Sequence, residues 1–135
     1  MNEEIELFRE NVRRFIELEI EPHYEQWERD EIFPRELWNK LGEQGLLAVD
    51  IPEAYGGYGA NFLFSMAIQE TFARANCAAV GGPMAVHSDI VAHYLLNKGT
   101  EAQKQHFLPR MVSGECVGAV AMTEPGAGSD LQGIR

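Results

Sequence analysis

The sequence predicts an all-α protein, a bundle of five or six helices followed by one short strand. Three observations carry this prediction. Apolar residues recur at three- and four-residue spacing through most of the chain. Capping residues and prolines mark helix starts, and glycines mark helix ends. The run of small and β-branched residues at Val117–Met122 is, by contrast, typical of a buried strand.

The first helix is expected to begin at Asn2 or Glu3, because acidic side chains in the first turn suit the helix dipole. Pro22 should kink or end this helix near Glu21, since proline lacks an amide hydrogen. A second helical piece is expected to continue to about Asp30. The apolar stripe of the first helix is formed by Ile5, Phe8, Val12, Phe15 and Leu18.

Pro34 suits the first position of a third helix, where its missing amide costs nothing. The apolar residues of 46–51 are too short for a helix, so they are expected to be extended or irregular, and the glycine-rich residues 55–59 should form a loop. Asn61 can cap a fourth helix that runs to about Asn76.

The second half of the chain carries a predicted break and a predicted cap. Gly81-Gly82-Pro83 is expected to break the chain before the next helix. Thr100 and Gln103 have the spacing of a capping box, and Pro109 is expected to interrupt the helix that this box begins. The apolar face expected on the helix after Pro83 is formed by His87, Ile90, Val91, Tyr94 and Leu95.

Composition limits the function classes. The 135 residues are 45% hydrophobic and 24% charged, which is ordinary for a soluble domain with its own core. The net charge of −10 disfavours nucleic acid and anionic membrane surfaces as partners. Two separated cysteines, and an acidic N-terminus unlike a signal or transit peptide, predict a cytoplasmic protein of bacterial type.

The residues that follow the predicted strand are a candidate anion site. Pro125 keeps the chain extended at Glu124, and glycines at 126 and 128 let a ligand approach the main chain closely. Successive free amides and the Ser129 hydroxyl can then donate to a phosphate. An ordinary surface turn is the open alternative. The dinucleotide fingerprint does not fit, since Leu131 occupies the position of its third small residue.

Two other constellations predict no chemistry. His87, Ser88 and Asp89 are neighbours on a predicted helix, so their side chains diverge and cannot form a hydrolase relay. His87 and His93 are six residues apart and out of phase, and the two cysteines share no motif, so no metal site is predicted. The sequence therefore offers no catalytic side chain by pattern alone.

The stretch AMTEPGAGSDLQGIR resembles the flavin-binding signature of the acyl-CoA dehydrogenases, and most of all their long-chain members. FPRELWNKLGEQGLLAVDIPEAYGG, HSDIV and KQHFLPRMVSGE resemble the same family. The resemblance implies an N-terminal helical domain at residues 1–115 and the start of the middle β-domain, with its first strand, at residues 116–135.

The resemblance also implies a cofactor, flavin adenine dinucleotide (FAD). Main-chain groups of Met122 and Thr123, with the Thr123 hydroxyl, would bond the pyrimidine end of the flavin. Gly128 and Ser129 would meet the pyrophosphate, and Ser129 would also touch the coenzyme A part of the substrate. The implied cofactor-binding segment comprises Val120, Ala121, Met122, Thr123, Glu124, Pro125, Gly126, Ala127, Gly128 and Ser129.

The implied reaction is α,β-dehydrogenation of fatty acyl-CoA thioesters, with electrons passing to an electron-transfer flavoprotein from a homotetrameric enzyme. Gly82 and Val86 would line the far end of the acyl pocket and favour long chains, although small residues there also suit close helix packing. The family's catalytic glutamate and second flavin segment lie beyond residue 135, so no residue here is assigned a catalytic role and these 135 residues alone are expected to be inactive. A non-catalytic helical interaction module, or an inactive fragment, is the alternative.

Overall fold

The computed structural model describes residues 2–134 and confirms the all-α prediction, with no sheet in that range. Short 3₁₀ turns lie at Glu53–Tyr55 and Leu131–Gly133. The helices are α1 (Asn2–Glu19), α2 (Glu21–Asp30), α3 (Glu36–Glu43), α4 (Phe62–Arg74), α5 (Ala78–Ala85), a π-helical turn (Val86–Val91), α6 (Ala92–Lys98) and α7 (Glu101–Val112). None of these helices is both long and apolar enough to cross a membrane.

The core is built by apolar faces of the helices together with the irregular segment 46–51. Leu47 and Ile51 of this segment are completely buried, so it fills space between helices rather than running over the surface. Complete burial of a leucine or isoleucine side chain contributes about 1.5–3 kcal/mol. The main cluster centres on Val12, Ile16, Leu41, Phe72 and Val80, and a smaller one on Ala48, Ile51, Ala92, Leu108 and Met111.

Both predicted helix caps are confirmed. The Asn61 side-chain oxygen accepts from the Leu63 amide at 2.9 Å at the start of α4. Thr100 Oγ1 accepts from the Gln103 amide at 3.3 Å, and Gln103 Oε1 accepts from the Thr100 amide at 2.8 Å. These bonds satisfy amides of the first helical turn, which have no partner within the helix.

The expected break at Gly81-Gly82-Pro83 is wrong, because these residues lie inside α5. Gly81 instead allows close packing, since a Cβ placed there would lie 3.0 Å from the Phe72 Cβ. Pro83 removes the hydrogen bond to the carbonyl of Ala79, an exposed residue of the first helical turn. The packing of α5 therefore outweighs the local preference of the sequence.

The expected interruption at Pro109 is wrong in the same way, because α7 continues through it to Val112. The lost hydrogen bond would run to the carbonyl of Gln105, an exposed residue at which water can replace the missing amide. Proline is thus tolerated within both helices where the lost bond lies on a solvent-facing turn.

The apolar face expected on the helix after Pro83 is also different in the structure. His87 is buried, whereas Ile90 and Tyr94 are exposed. The cause is the π-helical turn Val86–Val91, which widens the helix, so that residues within and after it are rotated relative to a regular α-helix. Periodicity of 3.6 residues cannot anticipate this shift.

The segment expected to form a strand, Val117–Met122, has no regular secondary structure in the described residues. A strand is defined by its hydrogen bonds to a neighbour, and residues 2–134 supply no second strand to pair with it. One antiparallel bridge follows it, between Glu124 and Ala127.

Candidate functional site

The glycine-rich stretch after Thr123 forms a tight turn closed by two hydrogen bonds. The Glu124 amide donates to the Ala127 carbonyl at 2.9 Å, and the Ala127 amide donates to the Glu124 carbonyl at 3.1 Å. Pro125 and Gly126 occupy the two central positions, and proline at the first of these suits the φ angle that such turns need. The turn therefore has a fixed shape that its own backbone maintains.

The outer side of this turn is open. Apart from the glycine itself and its two chain neighbours, no atom lies within 4 Å of a Cβ placed on Gly126 or on Gly128. Ser129 is exposed, whereas Ala127 is 4% exposed and anchors the inner side of the turn. Exposed amides beside a free hydroxyl can donate to a phosphate oxygen, which is the chemistry predicted for this stretch.

The approach to the turn is likewise exposed. Val120 and Met122 are 40% and 48% exposed, and Ala121 and Thr123 are exposed between them. Their main-chain groups belong to no helix or sheet, so they are available to a ligand. The residues predicted to hold a flavin thus form one stretch, Val120–Ser129, which is exposed except at half-buried Glu124 and buried Ala127. Their assignment to a cofactor remains a prediction.

The residues before this stretch are tied firmly to the helical bundle. Arg35 Nη2 donates to the carbonyls of Gly114 and Glu115, at 2.7 Å each. The Cys116 amide donates to the Arg110 carbonyl at 2.8 Å. The Gly118 amide then donates to Nδ1 of His87 at 2.9 Å. The exposed stretch therefore leaves the bundle from a defined point.

His87 is completely buried in the π-helical turn and uses both ring nitrogens. Its Nε2 lies 3.0 Å from the Met111 carbonyl oxygen, and its ring packs against Trp38 with centroids 5.2 Å apart. Burial lowers the pKa of His87 below its ordinary value; the positive charge of Arg35 lowers it further, and the bond to Met111 opposes the shift. The ring is therefore neutral near pH 7.

The neighbours of His87 turn to other partners, as expected for consecutive helical residues. Ser88 Oγ accepts from the Ala48 amide at 2.9 Å, and Asp89 accepts from the Ser65 hydroxyl. Burial raises the pKa of the Asp89 carboxyl, and the nearby charge of Asp50 acts in the same direction. The three side chains form no relay among themselves.

The polar pair of His93 and Asp50 was not predicted from the sequence. Nε2 of His93 and Oδ2 of Asp50 are 2.8 Å apart, and they come from segments 43 residues apart in the chain. No periodicity or motif could have found this contact, because it depends on where the irregular segment 46–51 packs. Within residues 2–134 no group of histidine, cysteine and acidic side chains has the arrangement of a metal site.

The two residues predicted for the acyl pocket, Gly82 and Val86, differ in exposure from Gly81 and Met84 beside them. Gly81 and Met84 are buried against the bundle core. Gly82 is exposed with no atom within 4 Å of a Cβ placed there, and Val86 is half-buried. Gly82 and Val86, the two substrate-binding predictions, therefore remain accessible to a ligand, whereas their neighbours are occupied by packing.

Comparison with known proteins gives consistent matches along the chain. The family described as acyl-CoA dehydrogenase, N-terminal domain, matches residues 2–115. The mitochondrial long-chain specific acyl-CoA dehydrogenase of Sus scrofa is 48% identical over 132 residues, which cover 98% of this chain and 30% of that protein.

Solved structures agree with this match. A crystal structure of an acyl-CoA dehydrogenase from Geobacillus kaustophilus has a TM-score of 0.92 and 46% identity, covering 99% of this chain and 35% of its own. An acyl-CoA dehydrogenase from Bacillus anthracis complexed with FAD has a TM-score of 0.86 and 36% identity, covering 98% of this chain and 22% of its own. The chain thus spans roughly a third or less of the relatives that it matches.

Proposed function

The chain belongs to the acyl-CoA dehydrogenase family, and from this membership we propose that it contributes the first flavin-binding segment to a dehydrogenase of long-chain fatty acyl-CoA thioesters. The reaction removes an α-proton and a β-hydride from the acyl chain and leaves a double bond between these two carbons. FAD, when bound, supplies the hydride acceptor. The residues of this chain bind and orient; we assign none of them as the catalytic base.

The observation that carries the proposal is the open turn at Glu124–Ala127 with the exposed stretch around it. Gly126 and Gly128 leave space where side chains would keep a phosphate away from the backbone. In the proposed complex, Gly128 and Ser129 donate to the pyrophosphate, and main-chain groups of Met122 and Thr123 bond the pyrimidine end of the flavin. The donor set therefore fits a cofactor that combines a diphosphate with a hydrogen-bonding ring.

The preference for long acyl chains rests on two supports. One is the 48% identity to a long-chain specific enzyme over 98% of this chain. The other is the small size of Gly82 and the apolar character of Val86, which leave room for an apolar ligand on the accessible side of α5. Each methylene that such a pocket buries contributes about 0.8 kcal/mol, so affinity accumulates with chain length.

The proposal extends to partners of the complete enzyme. An electron-transfer flavoprotein would reoxidise the flavin, and four copies of the enzyme would assemble, as the family resemblance implies. The net charge of −10 on these 135 residues disfavours nucleic acid and anionic membranes as partners of this part of the enzyme.

The test is anaerobic mixing of the complete enzyme with acyl-CoA substrates. We expect long-chain acyl-CoA to bleach the visible flavin band and to yield the α,β-unsaturated thioester, with short-chain acyl-CoA slower by roughly tenfold or more. The control is the same acyl chain without the thioester, which should leave the band unchanged. A purified enzyme with bound flavin that no acyl-CoA reduces would contradict the proposal.

A further inference from the structure

A buried histidine, His87, holds the residue that leads from the helical bundle into the stretch Val120–Ser129. We propose that His87 is a positioning residue: its Nδ1 accepts from the Gly118 amide and so fixes where the cofactor-binding stretch leaves the bundle. The hydrogen bond between His87 and Gly118 rests on geometry alone. Its effect on cofactor binding rests on the proposed function. His87 lies outside the segment proposed to contact the cofactor and outside the residues proposed to contact the substrate.

The hydrogen-bond partners of His87 determine its tautomer. A backbone carbonyl can only accept, so the 3.0 Å contact between Nε2 and the Met111 carbonyl requires hydrogen on Nε2. In the neutral ring Nδ1 then carries a lone pair, which is what the Gly118 amide at 2.9 Å needs. The bond to Met111 therefore fixes the tautomer in which Nδ1 can accept from the Gly118 amide.

Gly118 is held against the ring by its surroundings. A Cβ at this position would lie 2.7 Å from Val91 Cγ1 and 3.0 Å from Met111 Cε, so any side chain there would force Val91 to move. The imidazole is fixed in turn by complete burial and by its packing on Trp38. Beyond Gly118 the chain runs without regular secondary structure as far as the turn that begins at Glu124. The His87–Gly118 bond is thus the last tie to the bundle before the exposed stretch.

Protonation of His87 would break this tie, because a hydrogen on Nδ1 would face the Gly118 amide hydrogen. The charged group that acts on the ring is Arg35, at the start of α3; α7 contributes the Met111 carbonyl, and the C-terminal segment contributes an uncharged amide. The pKa of His87 is lower in the folded than in the unfolded chain. The tie is therefore present at neutral pH and is lost as the pH falls well below about 6.5, the ordinary histidine value.

Two variants separate the two bonds of the ring. In His87→Asn, the side-chain oxygen can lie where Nδ1 was and accept from Gly118, but nothing reaches Met111. In His87→Gln, the longer side chain can place an N–H where Nε2 was and donate to Met111, but the acceptor for Gly118 is lost. Both variants lose the aromatic packing on Trp38, so each is the control for the other.

The first measurement is amide hydrogen exchange at Gly118 by NMR in the 135-residue chain, corrected for intrinsic exchange rates. We expect protection in the native chain and in His87→Asn, and exchange faster by roughly tenfold or more in His87→Gln. Protection in the native chain should also fall on acidification, and His87→Asn should not show this pH dependence. Equal exchange in all three proteins would overturn the proposal.

The second measurement is the FAD dissociation constant of the complete enzyme carrying the same substitutions. His87→Gln should weaken FAD binding by roughly tenfold, while His87→Asn stays within about threefold of the native enzyme. Equal weakening by both variants would mean that His87 acts through stability alone, and would overturn the positioning role. A native enzyme that binds no FAD would instead contradict the proposed function, and the exchange measurement would still decide the inference.

Discussion

Replacing Gly82 by phenylalanine is expected to lower kcat/KM for long acyl-CoA substrates by on the order of 100-fold, with little effect on short ones. The new ring would fill the accessible side of α5, where no atom lies within 4 Å of a Cβ at this position. Exclusion of about four methylenes removes about 3 kcal/mol of transition-state binding. The helix itself should not suffer, because phenylalanine is a better helix former than glycine. Measurement of kcat/KM for short and long acyl-CoA substrates in the complete enzyme checks this prediction.

The matched control is Gly81→Ala in the adjacent position. Its Cβ would lie against Phe72 at 3.0 Å, on the core side of α5, so we expect an unchanged ratio of long-chain to short-chain rates. Val86→Glu tests the same pocket with a charge and should also penalise long chains selectively. If Gly82→Phe changes both rates equally, or neither, α5 does not form the end of the acyl pocket.

Gly114→Ala is expected to lower the free energy of unfolding by about 2–5 kcal/mol. Gly114 has a φ of +77°, and a Cβ there would lie 2.0 Å from the Trp38 carbonyl oxygen. The left-handed backbone costs an L-residue about 1–2 kcal/mol, and relief of the clash with α3 adds about 1–3 kcal/mol. Urea denaturation of the 135-residue chain measures the loss.

Gly59→Ala separates the two causes. Gly59 also has a positive φ of +57°, but no atom lies within 4 Å of a Cβ placed there. The decrease in the free energy of unfolding in Gly59→Ala should therefore reflect backbone strain alone, about 1–2 kcal/mol. Should Gly114→Ala cost no more than Gly59→Ala, the close approach of α3 to the end of α7 would not exist in solution.

Local signals in the sequence predicted much of the fold. The caps at Asn61 and Thr100 need only residues within three positions of each other, and both are present. Pro83 and Pro109 gave wrong predictions of helix breaks, because their effect on a helix depends on residues far away in the chain. Proline disfavours a helix interior locally, but packing of α5 and α7 with distant residues outweighs the loss of one exposed hydrogen bond.

In the candidate site, too, features set by adjacent residues were predicted and features set by tertiary contacts were not. The glycine turn was predicted from adjacent residues, whereas the attachment behind it was not. His87 was expected to share an apolar face with Ile90 and Tyr94. His87 is buried as that face predicts, but Ile90 and Tyr94 are exposed, because the π-helical turn changes the helical repeat. Its partners, Met111 and Gly118, are 24 and 31 residues away in the chain. Such contacts follow from the tertiary fold and leave no periodic signal.

The most direct test of the flavin assignment is the FAD dissociation constant of Ser129→Ala in the complete enzyme, with Ser113→Ala as the control. Both serines are exposed, but Ser113 lies at the end of α7, outside the predicted cofactor stretch. Loss of one hydroxyl that donates to a charged phosphate should weaken binding by roughly tenfold or more. We predict that loss for Ser129→Ala and no change for Ser113→Ala. Unchanged affinity in Ser129→Ala, or equal weakening in both variants, would contradict a pyrophosphate contact at Ser129.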